Sequence, residues 1–400
     1  MSLDLTPHFR RFFEAAPDRI HLAAHSHHYW PDASELGQRH AWQDAAVLAD
    51  RKWSRVFGEI WPIVQKGIAA RLNLPDPDTL AFAPNTHEFL KRILSCFPAD
   101  RPTRILASDA EFHSFSRQIA RLEEDGLVEV QRIAAEPFDT FSERLNEAAA
   151  AGGHDLVFVS QVFFSSAALG PDVQSLVASV PDPETFIVID GYHGFMAVPT
   201  DLSAVAERVF YISGGYKYAM SGEGCCFMHC PPGFGPRPRD TGWYSAFSAL
   251  ERADGGVPYS TDGMRFVGST FDPSGLYRMA AVFTWADQIG LTVPAIHAHV
   301  LELQDRFVSG IAKAGITALT DARLVTPIGP GVDRGHFLTF ETPEAPALYE
   351  RLLAESIITD VRGDRLRFGL ACYHTEASID HAVERIAEIL GASSGQTASV

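Results

Sequence analysis

The chain has 400 residues, 46% of them hydrophobic, which is enough to bury a large core and to build one large domain plus a smaller one. A formal charge of -17 excludes the basic stripe that a nucleic-acid surface needs, and no apolar run approaches the length of a membrane span. Five cysteines, an odd number without small-domain spacing, point to reduced thiols; with an N-terminus that lacks a signal-peptide pattern, the expected location is the cytoplasm.

The first distinctive stretch is IHLAAHSHHYWP, residues 20 to 31. His25, His27 and His28 invite a metal, but no acid or cysteine cluster lies nearby in sequence to complete a site, and none is expected. Residues 34 to 72 form a long helical stretch interrupted by Pro62, with Trp42, Trp53, Phe57 and Trp61 at roughly helical intervals, a stripe that reads as packing. LPDPDT breaks the helix. LAFAPNTHEFLKRIL then predicts a strand, a turn and an amphipathic helix with Thr86 at its capped start. Free N–H groups and the positive end of a helix dipole make such a start a ready anion site. RILASD, residues 104 to 109, reads as the next strand, followed by Glu111-Phe-His-Ser114. DLVFVSQVFF at 155 to 164 is a further buried strand, with Gln161 an ordinary satisfied polar group near its end.

The stretch from Phe186 to Gly224 reads FIVIDGYHGFM…RVFYISGGYKYAMSGEG. It holds two short apolar runs of the kind a buried parallel strand needs, with Asp190 closing the first and Lys217 just past the second. Open α/β sheets bind ligands in the crevice outside the carboxyl ends of their strands, so these side chains are expected to converge on one pocket. Pyridoxal 5'-phosphate needs a lysine amine for its Schiff base and an acidic partner for its pyridine nitrogen, and is the cofactor this pair suggests. Taken singly, a strand-end acid and a loop lysine are ordinary.

Beyond it, CCFMHC alternates its side chains across a strand, so Cys225, Cys226, His229 and Cys230 cannot all meet one metal and read as core. Residues 235 to 263, rich in Gly, Pro and Arg, form a long ordered loop of the functional or interfacial kind. A helix over 274 to 290 ends at a glycine stop, and the remainder alternates helix and strand. Arg365 and Arg367 flank Leu366 and are expected on opposite sides of one strand. The expected organisation is an N-terminal segment over 1–40, a large domain over 41–285, a smaller α+β domain over 286–392 and a disordered tail over 393–400.

Asp190-Gly-Tyr-His193, Gly214-Gly-Tyr-Lys217-Tyr218 and Ser221-Gly-Glu-Gly224 together resemble the fold-type I, class V aminotransferase superfamily of pyridoxal phosphate enzymes, most of all kynureninase. The resemblance runs from about Ile20 to Leu390 and implies an aspartate aminotransferase-like large domain with a mostly parallel sheet. It implies that Lys217 carries the Schiff base and moves protons, that Asp190 holds the pyridinium, and that His193 packs beside the ring. Phe112 would stack on the ring, with His113 second. Thr86, His87 and Tyr216 would hold the phosphate, joined by Trp243 and Thr270 from the other subunit of a homodimer. Ser26 would border an amino-acid substrate and Arg367 would fork onto its α-carboxylate. The substrate motifs depart from kynureninase: His25 replaces an asparagine, Ala24 a glycine, Phe115 an aspartate and Phe271 a proline, Thr270 stands where kynureninases have an asparagine, and the Trp243 loop lacks its histidine. The implied reaction is hydrolysis between the β and γ carbons of an amino acid with a γ-ketone. Amino transfer is the main alternative and a non-catalytic binding protein the second. Cysteine desulfurization needs a mobile nucleophilic cysteine, and none is well placed.

Overall fold

The apolar runs at the centre of the large sheet, at 80–83, 156–160, 209–214 and 226–229, form strands that are buried throughout and satisfy their backbone through their neighbours. The structure, a computed structural model, describes residues 3–249 and 256–391. In chain order the strands are β1 (Ile20–His21), β2 (Leu80–Ala83), β3 (Thr103–Ser108), β4 (Val128–Ile133), β5 (Leu156–Ser160), β6 (Phe186–Asp190), β7 (Val209–Gly214), β8 (Cys226–His229), β9 (Arg323–Leu324), β10 (Phe337–Glu341), β11 (Ile357–Ile358), β12 (Asp360–Arg362) and β13 (Arg365–Gly369).

Seven of them form one sheet in the order β2-β8-β7-β6-β5-β3-β4. β8 runs antiparallel to both β2 and β7, and the pairs from β7 across to β4 are parallel. A second, four-stranded antiparallel sheet, β12-β13-β10-β9, lies in the C-terminal part. The chain therefore has the expected α/β architecture, a large mostly parallel sheet followed by a small antiparallel one. After β3 it steps outward to β4, and β5 then starts on the other side of β3. That reversal opens a crevice beyond the carboxyl ends of β3 and β5, the usual ligand position in such a sheet.

The N-terminal segment is tied to the C-terminal part by its backbone. β1 pairs in parallel with β11, Leu22 N donates to Ile358 O at 2.8 Å, and Gly369 N donates to Leu22 O at 2.6 Å. The expected long helix is several pieces, with helices Ala33–Leu48 and Trp61–Leu72 separated by shorter turns. Its first piece crosses helix Ser274–Gln288 at Gly37, where a Cβ would stand 2.4 Å from the Tyr277 carbonyl oxygen, so only glycine permits the approach. Tyr277 Oη donates to Asp44 Oδ2 at 2.8 Å across the same contact. The aromatic stripe is only partly core. Trp61 is buried, whereas Trp42 is 78% exposed because the chain turns that face outward. The 393–400 tail lies outside the described residues, as do 250–255 of the long loop. Among the described residues no single helix is long and apolar enough to cross a membrane.

Candidate active site

The parallel pair β6 and β7 sets Asp190 beside Ile212, and the turn after β7 returns Lys217 to the same crevice. Both line a cavity of about 420 Å³, together with Thr86, His87, Phe112, His193 and Tyr216. Lys217 Nζ lies 2.8 Å from His193 Nε2. It also faces the rings of Tyr192 at 5.0 Å, Phe112 at 5.3 Å and Tyr216 at 5.6 Å, each a weak cation–π partner.

Burial lowers the Lys217 amine to about 7, with Asp190 opposing the shift and Arg367 adding to it. Burial raises Asp190, against the Tyr192 N–H and Lys217, which favour its anion. The Tyr192 N–H donates to Asp190 Oδ1 at 2.9 Å and fixes that carboxylate. His193 is held neutral by burial first, then by Lys217 and Arg367, and its ring also bonds the backbone of His25. The site thus holds a neutral imidazole against an amine poised at neutral pH.

The predicted strand, turn and helix at 80–94 are present, but the cap is Asn85 rather than Thr86. Asn85 Oδ1 accepts from the Glu88 N–H at 3.0 Å, which moves Thr86 into the first helical position. The start of helix Thr86–Leu94 then borders the cavity through Asn85, Thr86 and His87. Phe112 immediately precedes helix His113–Glu124 and turns its ring to the cavity. His113 packs on Phe164 instead, with ring centroids 5.1 Å apart.

Four expected residues do not line this cavity within the chain: Ser26, Trp243, Thr270 and Arg367. Trp243 is 43% exposed and packs on Tyr244 and Phe247. Thr270 borders a separate depression with Glu88 and Arg92. Arg367 is buried and committed: Nη2 donates to Asp360 Oδ1 at 2.6 Å and Nη1 to the Phe164 carbonyl, leaving Nε without a partner. The fork expected to be open for a substrate carboxylate is occupied by the protein's own groups. The opposite-sides expectation for the two arginines also fails, because side chains two apart on a strand share a face. Arg365 meets Glu136 and Arg367 meets Phe164, both from the large-sheet part.

The N-terminal histidines have separate surroundings. His25 stacks on Phe337, with ring centroids 4.6 Å apart and both ring nitrogens buried without partners. His27 is exposed near Glu223, and His28 Nδ1 bonds Tyr29 O. Gln161 is satisfied away from the cavity by Tyr211 and Thr200. The five cysteines are free and buried, and burial pushes the thiol of Cys226, which lines the cavity, up to about 12. Tyr192, Ser160 and Cys226 also line the cavity; the sequence patterns assign none of them to the site, although Tyr192 lies within the Asp190 motif.

Comparison with known proteins agrees on architecture and is mixed on chemistry. The family model described as the kynureninase C-terminal domain matches residues 296–386. No curated protein matches in sequence. The cystine C-S lyase C-DES, in complex with its product cysteine persulfide, is similar in structure at a TM-score of 0.78 and 15% identity, over 94% of this chain and 99% of its own. The cysteine desulfurase of Thermococcus onnurineus NA1 has a TM-score of 0.78 at 15% identity, over 98% of this chain and 100% of its own. The Escherichia coli cysteine desulfurase CsdA has 0.67 at 16%, over 96% of this chain and 98% of its own. The chain has the fold-type I fold of these enzymes, with its crevice where β3, β5, β6 and β7 end.

Proposed function

We propose that this protein binds pyridoxal 5'-phosphate in the cavity at Lys217 and acts on an amino acid, as a kynureninase-like hydrolase that cleaves between the β and γ carbons. The observation that carries the reading is the convergence of Lys217 and Asp190 on one cavity. The donor set fits the group. A buried lysine near neutrality suits the aldehyde, Asp190 suits a protonated pyridine nitrogen, Phe112 suits the ring face, and the start of helix Thr86–Leu94 suits the phosphate. Bound there, the cofactor supplies an electron sink for negative charge at the substrate α-carbon.

The chain's own residues do the rest. Asp190, held by the Tyr192 N–H, keeps a compensating negative charge in a buried place. The Lys217 amine, partly neutral at physiological pH, takes a proton from the substrate α-carbon and returns one. His193 orients that amine through its 2.8 Å contact. Arg367 is the group for the substrate α-carboxylate once it exchanges the Phe164 carbonyl for it. The match of the C-terminal part to the kynureninase domain favours β,γ-cleavage.

Amino transfer is the second reading, because it uses the same lysine and acid. Desulfurization is disfavoured, since each cysteine is buried and burial raises the thiols of Cys96, Cys225, Cys226, Cys230 and Cys372. A cytoplasmic homodimer in which Trp243 and Thr270 reach the partner's phosphate site is part of the proposal. The test is the visible spectrum of the purified protein with added pyridoxal phosphate, before and after borohydride, against Lys217→Ala. A band that disappears on reduction and is missing in the variant supports the reading; no band in the wild type sinks it and leaves the binding-protein alternative. Alanine plus an aryl acid as products indicates cleavage, and a keto acid with aminated cofactor indicates transfer.

A further inference from the structure

Glu111 is 3% exposed and stands at the point where the strand order reverses. Ser108, the last residue of β3, donates its hydroxyl to Glu111 Oε1 at 2.5 Å, and Ser160, the last residue of β5, donates to Oε2 at 2.6 Å. Ser160 pairs in register with Asp190 on β6 and lines the cavity. Glu111 directly precedes Phe112, and Ser116 Oγ donates to the Glu111 carbonyl at 2.9 Å, which fixes the backbone that carries the ring.

A buried carboxylate held by two hydroxyls and the Ser160 backbone N–H, with no cation in contact among the described residues, is an expensive choice for a mere clip. Two hydroxyls and a glutamine would tie the same strands at no charge. The ionisable group acting on Glu111 is Asp190, at the end of β6; Lys217, from the turn after β7, acts on Asp190 in turn. Two acids therefore share one buried region with a single nearby lysine, and like charges so placed do not both ionise freely. Burial first, and Asp190 after it, push Glu111 up to about 7 against the two serines, so its charge is exchangeable near neutral pH.

We propose that Glu111 is a positioning residue that ties β3 to β5 across the crevice, holds Phe112 over the cavity, and places a buried carboxyl behind Asp190 that sets the proton affinity of groups at Lys217. Its effect on bound pyridoxal phosphate rests on the function proposed above, whereas its own ionisation does not.

Two measurements on the full chain test it. The first is an infrared pH titration of unliganded protein carrying carbon-13 glutamate, from about pH 5 to about pH 9. The wild type is expected to show a glutamic acid carboxyl that disappears near neutrality and is missing in Glu111→Gln; coincident spectra overturn the proposal. Ser108→Ala, which keeps the carboxyl and removes a donor to its anion, is expected to move that titration to higher pH, and an unmoved midpoint overturns the assignment. The second is the pH midpoint of the visible band formed with pyridoxal phosphate. Glu111→Gln keeps shape and removes charge, so the midpoint falls by up to about one pH unit, a tenfold loss of proton affinity. Equal midpoints show a purely structural role and overturn the charge effect. A wild type with no visible band sinks the cofactor reading alone, and the infrared titration still decides Glu111.

Discussion

The large-sheet crevice and the face of the small antiparallel sheet treat their charges in opposite ways. In the crevice, Lys217 and Asp190 face a cavity, and each keeps contacts that orient it without consuming it: a neutral imidazole for the amine, one backbone N–H for the acid. On the small sheet, Arg367 is paired to Asp360 on the neighbouring strand and to the Phe164 carbonyl. The difference teaches that the crevice is preorganised for a ligand, while the small-sheet arginine must change partners to meet one. Preorganised groups cost nothing at the moment of binding; an exchanging group makes closure conditional on the right anion.

The largest effect should come from the preorganised side. Lys217→Ala is expected to lower turnover by roughly 10⁴-fold or more, measured with whichever amino acid shifts the visible band. If that loss is under tenfold, the crevice is not the reaction centre. Asp190→Asn, a near-isostere without charge, is expected to cost about a hundred- to a thousandfold in kcat with the cofactor still bound. On the exchanging side, Asp360→Ala leaves Arg367 buried without its carboxylate, and urea unfolding should show a loss of about 3–5 kcal/mol. A loss below about 1 kcal/mol would mean that Arg367 is already free to leave its partners, which would erase the contrast.

Smaller effects sharpen the comparison. The neutral amine is the form that captures an aldehyde, and burial holds Lys217 near 7 rather than its ordinary 10.5. The rate of pyridoxal phosphate capture should therefore rise with pH and level off just above about 7; a rate still climbing toward pH 10 would show that the amine is not desolvated as the cavity implies. Trp243→Ala should change the stability of the isolated chain by less than about 0.5 kcal/mol, because the ring is 43% exposed, and should weaken self-association in sedimentation. Unchanged association would remove Trp243 from the proposed interface.

Much of the crevice was legible because it is written locally. Apolar runs ending in a polar residue and glycine mark strand ends, so Asp190 and Lys217 declared both their elements and their shared side of the sheet. The start of helix Thr86–Leu94 was legible to within one residue, since Asn85 and Thr86 are both good caps and only the backbone geometry chose between them. Less legible was anything that depends on a partner distant in sequence. Trp42 carries the same helical spacing as Trp61, yet one faces out and the other in, because the helix breaks between them. Tyr192 lies inside the Asp190 motif, but its ring is a neighbour of Lys217 only because β6 and β7 pair.

By itself the sequence determined the α/β class, the strands that carry the crevice and the placing of Asp190 and Lys217 at its edge, because hydrophobic periodicity and strand-end chemistry act over a few residues. Only the tertiary structure decided that Arg367 is spoken for by Asp360, that Glu111 bridges β3 and β5, and that the N-terminal strand joins the C-terminal part. Those facts depend on register and on burial. Both are properties of the assembled chain, and no local pattern of residues carries them.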